Sequence, residues 1–514
     1  MTAAVDTPYA ATEAEVLEKA KLKKHFGRFD ILFFLVCTIV GVDTIGAVAS
    51  YGAEAFTWLI ALAVLFFIPS ALLFAELGTA FPEEGGPYVW TKLAFGRLAG
   101  AVNNFLYWVT NPVWLGGTLA VLAAAIYGEF FNGGNDLSTG GFYVFTLIFV
   151  WVGVLAAILS FRVGKWIPTL GAYSRFILLG FFTLSVIIYG IKHGVHGFGA
   201  SAYKPSYVGF VGLVPLLLFN FVGFELPSAA GDEMTNPQKD VPYAIFRSTI
   251  LSILLYGLPI LGILLVLPTS AITNLGGFID AIKQVFTVYG GSVTSSGVTL
   301  TGAGKVLGDF AAIMFMLALL SSGVTWIMGS DRALAVSGFD GAAPRFFGVI
   351  SARYGTPVRV NIFSGILSTA VLIGAHQITG GSAEKLFSTV LDLAISTTLI
   401  SYIGIFPALA VLRRKMPEVN RPYRTPFATA TSIWLTVLIL FAVVQLFFPG
   451  AGSHWFGDDF RPSEWAANEK WKYLLTELVP LAIFVLAGVI FWASGKKTRE
   501  DLADPTAPKA SLHG

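Results

Sequence analysis

The stretch Gly41-Val42-Asp43-Thr44-Ile45-Gly46 interrupts the first apolar segment of the chain. Apolar runs flank it at 31–40 and 47–51, so Asp43 falls about halfway through a segment long enough to cross a membrane. A carboxylate at that depth costs roughly 2.5–3.5 kcal/mol or more, which makes it a candidate functional group. The flanking glycines let the helix unwind and leave backbone groups open to a ligand.

A second break lies at Phe221-Val222-Gly223-Phe224-Glu225-Leu226-Pro227. It combines glycine and proline, which interrupt helices, with an acidic side chain inside another apolar segment. Two interrupted spans with an acid at mid-depth are typical of secondary transporters, whose ligands bind near the bilayer midplane. The two breaks therefore predict a transporter with its site between Asp43 and Glu225.

The composition is that of a polytopic membrane protein. The 514 residues are 55% hydrophobic and only 12% charged, whereas soluble proteins carry about 25% charged residues. The net charge of +2 gives no indication of nucleic acid as a partner. A single cysteine, Cys37, excludes an internal disulfide and a cysteine-based metal site, and no cofactor is expected.

Twelve apolar segments are long enough to span a bilayer, so we expect an all-α polytopic membrane protein. The predicted spans, numbered 1 to 12, cover residues 29–51, 57–80, 98–128, 142–160, 167–191, 208–230, 243–268, 305–330, 358–377, 387–412, 430–449 and 474–494. The breaks lie in spans 1 and 6. An offset of five makes equivalent helices cross the membrane in opposite directions, which predicts a 5+5 inverted repeat plus two further helices.

The distribution of lysine and arginine predicts the orientation. Most of these residues fall in segments on the same side as the amino terminus, which the positive-inside rule places in the cytoplasm. We expect a plasma-membrane protein with both termini cytoplasmic. The expected units are a tail at 1–28, a first five-helix repeat at 29–191, a second, inverted repeat at 208–412, helices 11 and 12 at 430–494, and a tail at 495–514.

Several loops resemble those of the amino acid–polyamine–organocation (APC) permeases. The matching stretches are 74–96, which contains FAELGTAFP and GGPYVW, 223–245, which begins with GFE, 330–344, and 422–426. The resemblance implies the inverted-repeat fold, alternating access, and a small amine-bearing substrate held between spans 1, 3, 6, 8 and 10.

The break in span 1 departs from the APC pattern. Members that carry α-amino acids usually have G-[ST]-G there, whose backbone amides cradle the substrate carboxylate, but this chain has Gly41-Val42-Asp43. A fixed carboxylate repels a substrate carboxylate and pairs with an ammonium, which favours amines or polyamines. The alternative is an ordinary neutral amino acid permease in which Asp43 binds a proton or stabilises the break.

Two further charged residues are assigned to coupling. Glu225 either binds a second ammonium or carries the coupled proton. Arg175 lies in span 5, about where many APC members resemble one another in having a lysine in place of a bound sodium. It would bond the unwound carbonyls of span 1 and exclude sodium coupling, or else extend to the membrane interface.

The candidate substrate-binding residues come from four spans. They are Gly41, Asp43, Thr44, Gly46, Asn111, Phe221, Phe224, Glu225, Ser321 and Trp326. Phe221 and Phe224 are predicted to form a gate that stacks on an ammonium. Trp114 either lines a pocket or serves only in packing between helices. Outside the site, Glu76 is expected to bind amides of the loop that follows it, and Glu83-Glu84 to be solvated.

Other classes of function fit less well. An enzyme would need a cluster of His, Cys or paired acids at one depth, and a nucleotide-driven pump would need a phosphate-binding loop; the sequence has neither. A transporter-fold sensor stays open. The expected partners are an amine or amino acid substrate, a proton as the coupling ion and the lipid bilayer, with the protein a monomer or homodimer.

Overall fold

The computed structural model describes residues 26–163, 166–196, 199–294, 297–448 and 469–503. Within these ranges, eleven helices are long and apolar enough to cross a membrane, and the shorter apolar helix Tyr207–Asn220 supplies the remaining span. The all-α polytopic fold is therefore confirmed. Most of the amino-terminal tail and the last residues of the carboxy-terminal tail lie outside the described residues.

The observed spans agree with the predicted ones within a few residues at most ends. Span 1 comprises Arg28–Ile39, Val42–Thr44 and Ile45–Ala49, and span 6 comprises Tyr207–Asn220 and Leu226–Glu233. The others are Ala53–Ala80, Arg97–Phe131, Thr139–Val163, Trp166–His193, Pro237–Val266, Gly302–Phe339, Val358–Ile378, Ala383–Lys415, Ala428–Phe447 and Lys470–Ser494.

Smaller elements connect the spans. The helix Pro87–Phe95 lies between spans 2 and 3, and Gly277–Phe286 lies between spans 7 and 8. A hairpin that the sequence pattern does not predict follows, in which β1 (Gly291–Thr294) pairs antiparallel with β2 (Gly297–Leu300). Its register sets Gly291 opposite Leu300, just before span 8 begins.

Both predicted breaks are present, and they contact each other. Span 1 leaves the helix after Ile39, and span 6 leaves it after Asn220. Gly223 has φ = 120°, a conformation that glycine adopts without steric cost. A Cβ atom at this position would lie 2.7 Å from Cγ2 of Thr38 in span 1, so the close approach of the breaks also requires glycine.

Spans 1 and 3 form the centre of the bundle, where nearly all their side chains are buried, whereas span 12 is mostly exposed. Its exposed residues include Ile483, Leu486 and Ile490, as expected of a surface that faces lipid.

Small residues allow close packing inside the bundle. At Gly116 of span 3, a Cβ atom would overlap the carbonyl oxygen of Ser368 in span 9.

Ion pairs close the amino-terminal face, defined here as the end of the bundle where span 1 begins. Nε of Arg332 lies 3.0 Å from Glu233 and 3.3 Å from Glu84, and all three side chains are buried. The prediction that Glu83-Glu84 is solvated is wrong, since the two residues are 7% and 2% exposed. Their loop is docked under span 6, where Gly85 N donates to Ala229 O at 3.1 Å.

Glu76 in span 2 joins three segments of the same face. Arg413 of span 10 donates to both of its carboxylate oxygens, at 2.8 and 2.6 Å, and Arg421 lies 3.3 Å away. Its backbone partner is the amide of Thr425, between spans 10 and 11, at 2.6 Å. The expectation that Glu76 binds amides of the next loop is therefore wrong, because packing brings a distant loop closer.

Glu76→Ala should lower the free energy of unfolding by about 3 kcal/mol, because it leaves the buried Arg421 and the partly exposed Arg413 without their counter-charge. Thermal unfolding of the detergent-purified protein, followed by intrinsic fluorescence, measures the effect. The control is Glu500→Gln, which removes a solvent-exposed partner of Lys496 and should change stability little. Equal melting temperatures for the two variants would contradict this role of Glu76.

Candidate functional site

A small cavity lies between the two breaks. Spans 1, 3, 6, 7, 8 and 10 contribute to its lining, which consists of Thr38, Ile39, Gly41, Asp43, Thr44, Thr110, Asn111, Trp114, Phe219, Asn220, Val222, Tyr256, Trp326 and Thr398. The structure thus brings together Gly41, Asp43, Thr44, Asn111 and Trp326 of the predicted set. All lining residues except Phe219 are buried.

Asp43 provides the charged group of the cavity. Its side chain is 2% exposed, and Oδ2 accepts a hydrogen bond from Trp114 Nε1 at 2.8 Å. The other oxygen, Oδ1, has no hydrogen-bond partner among the described residues. Burying a carboxylate oxygen without a donor is costly. The arrangement therefore suits a ligand that supplies a positively charged N–H group.

Side chains already form hydrogen bonds with several backbone groups in the unwound part of span 1. The hydroxyl of Tyr256, in span 7, accepts from Gly41 N at 2.8 Å and donates to Ile39 O at 2.7 Å. Thr44 Oγ1 donates to Gly41 O at 3.0 Å, and Trp326 Nε1 donates to Thr38 O at 3.0 Å. The Gly41 amide is thus already bonded, which weakens its capacity to hold a substrate carboxylate.

Aromatic rings form one wall of the cavity. The ring centroids of Trp114 and Trp326 are 6.3 Å apart at an interplanar angle of 83°, and those of Trp114 and Phe219 are 6.3 Å apart at 81°. Such rings attract a cation placed over their faces within about 6 Å. An ammonium at Asp43 would therefore lie among groups that favour its charge.

Asn220 is a polar group of the cavity that the sequence pattern did not single out. It is the last residue of the first half of span 6 and is 2% exposed. Neither Oδ1 nor Nδ2 has a hydrogen-bond partner among the described residues. Each unsatisfied group of this kind costs about 1–3 kcal/mol. Only the folded structure reveals this feature, because it depends on which groups surround the amide of Asn220.

Several predicted site residues lie outside the cavity lining. The rings of Phe221 and Phe224 stack on Phe67 of span 2, with centroids 4.6 and 4.7 Å away, instead of facing the cavity. Gly46 lies against the segment around Phe278, and Ser321 accepts a hydrogen bond from Arg175. The chain is not helical between Asn220 and Leu226, so helical periodicity does not give the direction of these side chains.

Glu225 is fully buried, but it also lies outside the cavity lining. Tyr107 donates its hydroxyl to Oε1 at 3.0 Å, and Gly223 N donates to Oε2 at 3.2 Å. The carboxyl group therefore binds the break of span 6 to span 3. This geometry gives no support to direct binding of a second ammonium by Glu225.

Arg175 is fully buried between spans 1, 5 and 8, which rules out the alternative that it extends to the interface. Its Nε donates to Val40 O at 2.7 Å, at the break of span 1. The guanidinium also donates to Gly171 O at 2.8 Å, Ala318 O at 3.0 Å and Ser321 Oγ at 3.1 Å, and it bonds Ser322. The permanently charged guanidinium group of Arg175 thus links the break of span 1 to span 8 by hydrogen bonds.

Comparison with known proteins identifies the family of this chain. Residues 26–462 match the family model described as amino acid permease. A probable agmatine/putrescine antiporter of Lactococcus lactis is 28% identical over 429 residues, covering 83% of this chain and 88% of that protein. The cadaverine/lysine antiporter of Escherichia coli is 24% identical over 378 residues, covering 70% and 75%.

An uncharacterized transporter of Legionella pneumophila is 30% identical over 415 residues, which cover 79% of this chain and 84% of that protein. The three matches cover 70–83% of this chain. Together with the family model, which matches far more than half of the residues, these similarities establish the family. This chain belongs to the amino acid permease family.

Proposed function

We propose that this protein is a secondary transporter of organic amines, polyamines among them, and that Asp43 binds the substrate ammonium. The observation that carries the proposal is the buried oxygen Oδ1 of Asp43, which has no hydrogen-bond partner in the described part of the chain and lies beside a cavity lined by aromatic rings. An ammonium would satisfy this oxygen by a charge-assisted hydrogen bond. Relatives whose names specify agmatine, putrescine and cadaverine support an amine substrate.

The neutral amino acid alternative has less support from the geometry. A substrate carboxylate would meet the carboxylate of Asp43, and the Gly41 amide that could hold it is bonded to Tyr256. Both groups would have to rearrange before such a substrate could bind. We therefore prefer amines, and we retain neutral amino acids as the competing outcome of the binding experiment.

Exchange or proton coupling drives transport in this proposal, with alternating access between the two faces. Glu225 is the proposed proton carrier, because it is buried within hydrogen-bond reach of Tyr107 and of the span 6 backbone.

The bias of lysine and arginine supports a cytoplasmic position for both termini, and the offset between the breaks supports two inverted five-helix repeats at 29–191 and 208–412.

Asp43→Asn should weaken the binding of putrescine by about 10–100-fold, since it removes a charged hydrogen-bond partner worth about 1.5–3 kcal/mol. Ligand-induced thermal stabilisation of the purified protein and uptake into proteoliposomes measure the loss. The matched control is Asp309→Asn, which neutralises an aspartate paired with Lys305 outside the cavity. It should leave putrescine binding unchanged.

Two results would contradict the assignment of Asp43. One is putrescine binding by Asp43→Asn with the affinity of the wild type. The other is stabilisation of the wild type by neutral α-amino acids alone, with no response to amines. The second result would leave an ordinary neutral amino acid permease.

We also propose that Arg175 takes the place of a coupling cation between spans 1 and 8, so that transport does not require sodium. The support is its position, since its donors already bind the carbonyls of Val40 and Ala318. Arginine keeps its proton in proteins. It therefore provides a permanent charge and does not carry a proton itself.

Replacing sodium by potassium should leave uptake by the wild type unchanged. Arg175→Met should abolish most uptake and lower the melting temperature, because carbonyls at the break lose their donor. Arg247→Met, which removes an exposed arginine stacked on Tyr243, is the control and should retain activity. Wild-type uptake that falls when potassium replaces sodium would overturn the proposal.

A further inference from the structure

The amide of Asn220 has the properties of a recognition group without its ligand. Both of its polar atoms lack hydrogen-bond partners among the described residues, although the side chain is 2% exposed and lines the cavity. Buried amides in folded proteins normally have partners. Asn111, the other asparagine of the lining, differs because its Nδ2 already donates to Tyr107 O at 3.2 Å.

We propose that Asn220 binds the end of the substrate remote from Asp43, and that it accepts either an ammonium or a carboxylate-bearing end there. The inference rests on the proposed function and adds a second recognition residue to it. The substrates it implies are diamines and the cationic amino acids that share their terminal ammonium.

The chemistry of a carboxamide allows this dual recognition. Its Oδ1 accepts hydrogen bonds from an ammonium, and its Nδ2 donates them to a carboxylate. Because the group is uncharged, it repels neither end. A fixed carboxylate at this position would exclude amino acids, and a fixed cation would exclude diamines.

Asn220 and Asp43 line the same cavity. Trp114 donates to Asp43 at 2.8 Å, and the ring of Trp114 contacts that of Phe219, whose centroid is 6.3 Å away. Asn220 follows Phe219 directly in the chain. A chain-like substrate bound at Asp43 would therefore lie in the same cavity as the amide, beside the rings of Trp114 and Phe219.

Cadaverine and lysine form a matched pair of probes, since they differ only in the α-carboxylate. Both can present the same terminal ammonium to Asp43. Dissociation constants would be measured for each probe with the purified full-length protein, by radioligand binding and competition. The variants are Asn220→Leu, which preserves the approximate shape without polar atoms, and Asn220→Asp, which replaces the donor by a second acceptor.

The control variant is Ser252→Ala. Ser252 is equally buried, and its hydroxyl has no partner among the described residues, but it does not line the cavity. It should leave both dissociation constants unchanged. Thermal unfolding without ligand would verify that each variant is folded.

The wild type should bind both probes. Asn220→Leu should weaken both by about tenfold or more, the effect of one lost hydrogen bond to a charged group. Asn220→Asp should weaken lysine at least tenfold more than cadaverine, because its carboxylate repels that of lysine.

Unchanged constants in Asn220→Leu would overturn the assignment of Asn220 to the substrate. Equal effects of Asn220→Asp on the two probes would overturn its recognition of a carboxylate. Either outcome leaves the role of Asp43 intact. Failure of the wild type to bind cadaverine would instead overturn the proposed function, and this inference with it.

Discussion

A break in a membrane helix leaves backbone groups that lipid cannot satisfy, and this constraint organises the protein. In span 1 the carbonyls of Ile39 and Val40 and the amide of Gly41 receive partners from two side chains, Tyr256 and Arg175. These side chains belong to spans 7 and 5, so the requirement for hydrogen bonds also fixes which helices surround the break. Asp43 Oδ1 stays without a partner in the described structure. The same arrangement that stabilises the break leaves one acceptor for a ligand.

Movement in this bundle must exchange these hydrogen bonds. Trp326 bonds Thr38 beside the cavity, while Arg332 pairs with Glu233 and Glu84 at the amino-terminal face. Opening the cavity towards that face would separate the second half of span 6 from span 8 and expose a buried ion cluster. Such a cluster is expensive to break unless water or new partners replace it. Two packed arrangements with a barrier between them are what alternating access requires.

Local sequence was sufficient to predict the spans, both breaks and the position of Asp43. Hydropathy and glycine act over short distances along the chain, and a charge in an apolar run has few structural explanations. Arg175 was predicted to reach the span 1 carbonyls from the family resemblance, and the structure places it there. The spans, the breaks and the position of Asp43 are each determined within about one helix, whereas the contact of Arg175 joins two spans and needed the family resemblance.

The direction of side chains after a break could not be predicted. Phe221 and Phe224 were expected to face the ligand but stack on Phe67, since unwound residues follow no helical period. Tyr256 and Asn220 were missed because their roles depend on contacts across the bundle or on the lack of them. Glu84 was expected in solvent and is buried instead, because a distant segment, span 6, covers its loop. Each error concerns packing between segments that are far apart in the chain.

The central claim is that the unpaired oxygen of Asp43 binds an ammonium between aromatic rings. A cryo-electron microscopy structure of the protein with cadaverine in lipid nanodiscs tests it most directly. The account predicts a ligand nitrogen about 3 Å from Asp43 Oδ1, with the carbon chain along Trp114. A ligand bound elsewhere, with Asp43 bonded to protein groups alone, would contradict it.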